Sequence, residues 1–120
     1  MRDEEATVAD LKKLAIQFRD ERDWAQFHSP KNLAVSVVLE AAELLEHFQW
    51  RTEEEIAKYL AGEGRAAVSE EIADVLMYLL TMAHDLGIDV SSSAKAKLRK
   101  NARKYPVDKA KGNAAKYGDL

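Results

Sequence analysis

The sequence predicts an all-α fold, a bundle of about five helices whose core is completed by oligomerisation. Three observations carry this. Apolar residues recur at helical rather than alternating spacing, helix start and stop signals follow one another in order, and no stretch reads as a strand. With 120 residues, 47% hydrophobic and 32% charged, the chain fits one globular domain over 1–120, with about 107–120 as a C-terminal tail.

The first helix is expected from about Thr7 to Gln26, with Val8, Leu11, Leu14, Ala15 and Phe18 on one face. His28-Ser29-Pro30 interrupts it. Ser29 suits an N-cap and Pro30 a first helical position, so a second helix runs to about Trp50. Thr52 and Glu55 form a capping box for a short third helix that ends near Gly62. The fourth runs from about Arg65 to Leu86, where Gly87 supplies a left-handed stop. Asp89 caps a fifth, which reaches about Lys104 and is stopped by Pro106. Between Ile72 and Ala83 only Asp74, Tyr78 and Thr81 interrupt the apolar run of the fourth helix. A helix apolar nearly all round is buried on most sides, and five modest helices hardly cover it. The expectation is that it meets a second subunit, and the apolar second helix invites the same reading.

Cysteine is absent, which excludes disulfides and thiolate chemistry and agrees with a cytoplasmic location. The N-terminus is acidic with no apolar core of a signal peptide. No apolar run approaches the roughly 20 residues of a membrane span, so no membrane partner is expected. The net charge of −3 is unevenly placed. From Lys95 to Lys116 nine residues are basic and only Asp108 is acidic. Such a segment suits phosphate-bearing ligands, and equally a solvated helix face.

The chemistry-bearing pattern is a doubled carboxylate pair. Glu40 and Glu43 stand three apart in EAAELLEHFQW, and Glu71 and Asp74 three apart in SEEIADVLMYLL. That spacing puts each pair on one helix face, with Cβ atoms about 5–6 Å apart. Two unit charges about 5 Å apart repel by about 3 kcal/mol at an effective dielectric near 20. If the two helices pack together, four carboxylates meet, and they must bind protons or cations. All-oxygen ligation favours Mg²⁺, with Mn²⁺ as a second fit, over zinc. A di-iron site would need Glu-x-x-His. The residues three before His28, His47 and His84 are Ala25, Leu44 and Thr81, so that motif is missing. Trp24, Phe27, His28, Trp50 and Tyr78 could stack on a base, although aromatic residues at helix ends more often close a core.

Together these residues form a recognisable pattern. FRDERDWAQFHSPKNLAVSVVLEAAELLEHFQW, then EEIADVLMYLL, then KYPVDKAKGNAAKYGDL, resembles the all-α nucleoside triphosphate pyrophosphatases, the MazG-like superfamily, and within it the dCTP pyrophosphatase branch. The resemblance covers about Leu11 to Leu120. It implies Mg²⁺-dependent hydrolysis of a nucleoside triphosphate, dCTP or a modified dCTP, to the monophosphate and pyrophosphate, as house-cleaning of nucleotide pools. It also implies a homotetramer built as a dimer of dimers. Carried over residue by residue, Glu40, Glu43, Glu71 and Asp74 would hold the metal and carry catalysis. Trp24, Ala25, Gln26, Phe27, His28, Trp50 and Tyr78 would line the nucleotide pocket. Lys97, Asn101 and Tyr105 would serve phosphate contacts or contacts from a neighbouring subunit. One departure is that the branch carries a histidine about where Ala15 stands, which bears on base preference. Two other readings compete. One is a non-enzymatic helical oligomer that binds nucleic acid or protein through the basic segment, although nucleic acid is not the favoured partner. The other is a nucleotide sensor that binds without turnover.

Overall fold

A computed structural model describes residues 1–120, all helix and connection with no strand. Contacts divide the chain into two units, Met1–Gly87 and Ile88–Leu120.

The first unit holds α1 (Val8–Glu21), a 3-10 turn (Ala25–Phe27), α2 (Pro30–Glu46), α3 (Glu53–Ala61) and α4 (Gly64–Asp85). Thr7 opens α1 through a capping box with Asp10. The helix ends at Glu21, short of the expected Gln26, because the chain turns at Asp23, whose φ of 53° is left-handed. Short polar side chains tolerate that region better than most. Ser29 accepts from the Asn32 N–H and Pro30 follows as the first helical residue, as its sequence predicts. α2 closes at Glu46 rather than Trp50: the His47 and Phe48 N–H groups bond the Leu44 and Leu45 carbonyls, tightening the last turn. Thr52 and Glu55 make the expected capping box of α3. Gly87 stops α4 at φ 66°.

α4 is the centre of this unit. It packs most extensively on α2, then on α1 and α3. The core is thin: Leu33 and Leu80 are fully buried, with Ala15, Val68 and Ala83 beside them. Much of the apolar surface that the sequence assigns to burial is open within one chain. Val35, Val38, Leu39 and Leu45 form an exposed stripe on α2, and Ile72, Leu76 and Leu79 another on α4.

The second unit holds α5 (Val90–Lys104), the one-turn α6 (Val107–Ala110) and a 3-10 turn (Tyr117–Asp119). Asp89 caps α5 by accepting from the Ser92 N–H. The stretch after Pro106, expected to be an aperiodic tail, is ordered into these two short turns. The Tyr105 and Tyr117 rings meet edge to face at 6.1 Å, and Lys104 Nζ lies 4.9 Å from the Tyr117 centroid.

Candidate active site

The packing of α2 on α4 gathers carboxylates. One oxygen each from Glu40, Glu43 and Glu71 lie within 4.8 Å of one another. Glu40 and Glu71 are half-buried and Glu43 is exposed. Burial pushes the Glu40 carboxyl above its ordinary value of 4.5, and a hydrogen bond shared with Glu43 and the negative charges of Glu43, Asp74 and Glu71 push it further. Two oxygens in this cluster, Glu40 Oε2 and Glu71 Oε2, are buried without a hydrogen-bond partner. Buried acceptors left unpaired are costly. A hard divalent cation would satisfy both, and the all-carboxylate donor set fits Mg²⁺ or Mn²⁺. Asp74, the fourth carboxylate expected here, is exposed and is not one of the three mutual neighbours, although its charge acts on Glu40.

Asp74 also lines a cavity of about 510 Å³ between α1 and α4. Leu14, Ala15, Phe18 and Arg19 supply the α1 wall, Trp24 and His28 come from the connection, and Met77, Tyr78 and Thr81 continue along α4. This volume is in the range of small-molecule sites. Phe18 and Trp24 meet edge to face at 5.8 Å, as do His28 and Tyr78 at 6.4 Å. Two polar groups of the wall are already engaged. Arg19 Nη1 donates to both Asp85 oxygens at 2.9 and 2.7 Å, and its Nε donates to Asp20. The Thr81 hydroxyl donates to the Met77 carbonyl. His28 Nδ1 is buried without a partner, and it stands with the Asp74 carboxylate and the polar ends of Trp24 and Tyr78 among the groups that can meet a ligand. An apolar, aromatic cavity thus opens beside a carboxylate cluster, and Asp74 lines the cavity while its charge acts on Glu40.

A family model described as the MazG-like family matches residues 35–120. The chain belongs to the MazG-like family. It is 41% identical over 117 residues to dCTP pyrophosphatase 1 of Bos taurus and 39% identical to that of Homo sapiens. Each match covers 97% of this chain and 69% of the relative. It is similar also to a crystal structure of a pyrophosphatase from Archaeoglobus fulgidus, at 43% identity and a TM-score of 0.77, covering 88% of this chain and 98% of that one.

In this MazG-like chain the cavity gathers Trp24, His28 and Tyr78 of the pocket residues singled out from sequence, and not Ala25, Gln26, Phe27 or Trp50. Gln26 donates instead to Asp23, Phe27 is exposed, and Trp50 is 86% exposed. Lys97, Asn101 and Tyr105 lie in the second unit. Ala15, noted as a departure, stands in the cavity wall. Sequence reasoning passed over Arg19, although it stands one turn after Ala15 on the buried face of α1. It also passed over His47, whose Nε2 lies 3.5 Å from Glu71 Oε1. Its signal was spacing: Glu40, Glu43 and His47 fall at i, i+3 and i+7, one helix face.

Proposed function

We propose that this enzyme, a nucleoside triphosphate pyrophosphatase, hydrolyses dCTP or a modified dCTP to the monophosphate and pyrophosphate in a Mg²⁺-dependent reaction. The names of the relatives support the substrate. The observation that carries the reading is the Glu40–Glu43–Glu71 cluster beside an apolar cavity that Asp74 also lines. Polyphosphate and base need opposite surroundings, and these two compartments adjoin.

In this reading Glu40, Glu43, Glu71 and Asp74 hold Mg²⁺. When bound, that ion neutralises the triphosphate and makes its α-phosphorus more electrophilic. Trp24, His28 and Tyr78 hold the base, with Phe18 and Met77 excluding water around it. Glu43, the exposed member of the cluster, orients a water and takes its proton as the water oxygen bonds to the α-phosphorus. The bond to the α–β bridging oxygen breaks, and pyrophosphate leaves with the electron pair. Positioning and electrostatics supply most of the rate. Ala15 stands in the cavity wall where the branch carries a histidine, and bears on which base is preferred.

The exposed stripes of α2 and α4 support self-association, and we assign their partner as further copies of this chain, in a homotetramer. No helix is long and apolar enough to cross a membrane. The reading places the enzyme with the nucleotide pools of the cytoplasm.

The test is a panel assay. Purified protein meets each ribo- and deoxynucleoside triphosphate and 5-methyl-dCTP, with and without Mg²⁺, and products are separated by chromatography. Fastest release of monophosphate and pyrophosphate from a deoxycytidine triphosphate, only with Mg²⁺, is the expected result. Equal rates for all bases would refute the base assignment, and full activity in EDTA would refute the metal.

A further inference from the structure

We propose that His47 is a positioning residue for Glu71, itself held by Tyr59, and that this two-residue support sets the affinity of the site for its divalent cation. The inference rests on the reading of Glu71 as a metal ligand. His47 follows the last residue of α2, and its ring lies between Tyr59 of α3 and Glu71 of α4. Nδ1 is 2.7 Å from the Tyr59 hydroxyl and Nε2 is 3.5 Å from Glu71 Oε1. Only one neutral tautomer serves both neighbours. A carboxylate can only accept, so Nε2 must carry the proton that faces it. Nδ1 then accepts from the Tyr59 hydroxyl. With Oε1 facing His47, the other Glu71 oxygen, Oε2, stays buried and unpaired. A carboxylate faced by an imidazole on one oxygen and uncompensated on the other is arranged as a supported ligand.

The support extends outward from His47. The His47 and Tyr59 rings are near parallel, 22° between planes, with centroids 5.9 Å apart. The Arg51 guanidinium carbon sits 3.7 Å from the Tyr59 ring centroid, and Arg51 also donates to the carbonyl of His47. At the start of α4 the Tyr59 ring occupies the space a Cβ on Gly64 would need, which would lie 2.3 Å from ring carbons. Gly64 and Arg51 therefore seat Tyr59, Tyr59 holds the His47 ring through Nδ1, and the Nε2 side of that ring faces Glu71. His47 and Glu71 side chains keep only 18% and 21% of their surface exposed, so water competes weakly for this contact.

The experiment is calorimetric titration of the full chain with Mg²⁺ and with Mn²⁺, for the wild type, His47→Leu, His47→Gln and Tyr59→Phe. Each is paired with a thermal melt and with the Mg²⁺ dependence of turnover. Loss of such a support typically weakens metal binding about 10–100-fold. His47→Leu should weaken the cation by that factor, raising the Mg²⁺ needed for half-maximal turnover far more than it lowers kcat at saturating Mg²⁺. His47→Gln, which restores an N–H donor near Nε2, should recover most of the loss, and Tyr59→Phe should fall between. Nitrogen-15 NMR of wild-type His47 should show the Nε2–H tautomer. Wild-type cation affinity in folded His47→Leu, with only its melting temperature lowered, would overturn the proposal. So would an Nδ1–H tautomer, or a folded His47→Gln no better than His47→Leu. If His47→Leu does not fold, unchanged affinity in Tyr59→Phe overturns it. A wild type that binds neither cation removes the metal reading and this inference together, whereas binding that is equal in all variants removes only this one.

Discussion

Glu40 shows how one side chain reports on its whole surroundings. Its carboxyl titrates above 4.5 because burial and three neighbouring acids disfavour its charge. The fold therefore holds the Glu40 proton more tightly than the unfolded chain does. That contribution is fully present below the unfolded value and is lost as pH rises through the raised one. In EDTA, Glu40→Gln should be more stable than the parent at pH 7 and equal to it near about pH 4, as read by urea unfolding at both pH values. Two other substitutions address chemistry. Glu43→Gln removes the assigned proton acceptor and should lower kcat by about 100-fold or more. Asp74→Asn should weaken the cation and raise the Mg²⁺ needed for half-maximal turnover, with helical circular dichroism unchanged in both. Near-wild-type turnover of Glu43→Gln in saturating Mg²⁺, or an unchanged Mg²⁺ requirement in Asp74→Asn, would remove the respective role.

Between elements, long-range pairs decide the geometry. Arg19 of α1 and Asp85 of α4 are 66 residues apart and meet through an Nη1 that bridges both carboxylate oxygens. Burial alone would raise the Asp85 pKa, but hydrogen bonds from Arg19 and His84, with their charges, outweigh it and hold it below 3.8. Its stabilisation is thus present above that value and fades as pH falls through the lowered one. The Arg19 side chain keeps 9% of its surface exposed and that of Asp85 keeps 25%. Removing one partner of such a pair costs about 3 kcal/mol. Arg19→Ala should lose about that much in urea unfolding at pH 7, and progressively less as pH falls through the lowered Asp85 value. α3 depends on a close approach to α4 instead. A methyl group at Gly64 collides with the Tyr59 ring, and overpacking of this kind costs about 1–3 kcal/mol. Gly64→Ala should therefore lower the melting temperature, although alanine is the better helix former.

At the scale of the whole molecule, the open apolar stripes of α2 and α4 exceed what a thin core explains. Val38 is 67% exposed and Leu39 59%. Contiguous apolar surface of this kind marks an interface. Light scattering should show an assembly larger than one chain, and Val38→Asp should shift it to a smaller species with a lower, concentration-dependent melting temperature. A monodisperse monomer in the wild type would refute the assembly.

Much of this was legible in the chain itself. The helix starts at Ser29, Thr52 and Asp89, the stop at Gly87 and the doubled carboxylate spacing are local properties. Each depends on side chains reaching backbone groups a few residues away, so order along the chain determines them. Family membership is legible for the same reason, because ordered motifs carry it. The early ends of α1 and α2 were less legible, since apolar spacing continues through Asp23 and His47 while the backbone turns. Which helix faces meet was decided only by tertiary structure. Periodicity names an apolar face but not its partner. Packing of α4 on α2 brought Glu71 to Glu40 and Glu43, left Asp74 at the cavity, set Trp50 in the open, and placed His47 between Tyr59 and Glu71. Those contacts join residues far apart in the chain, and their energies depend on burial and distance, which exist only once the helices have crossed.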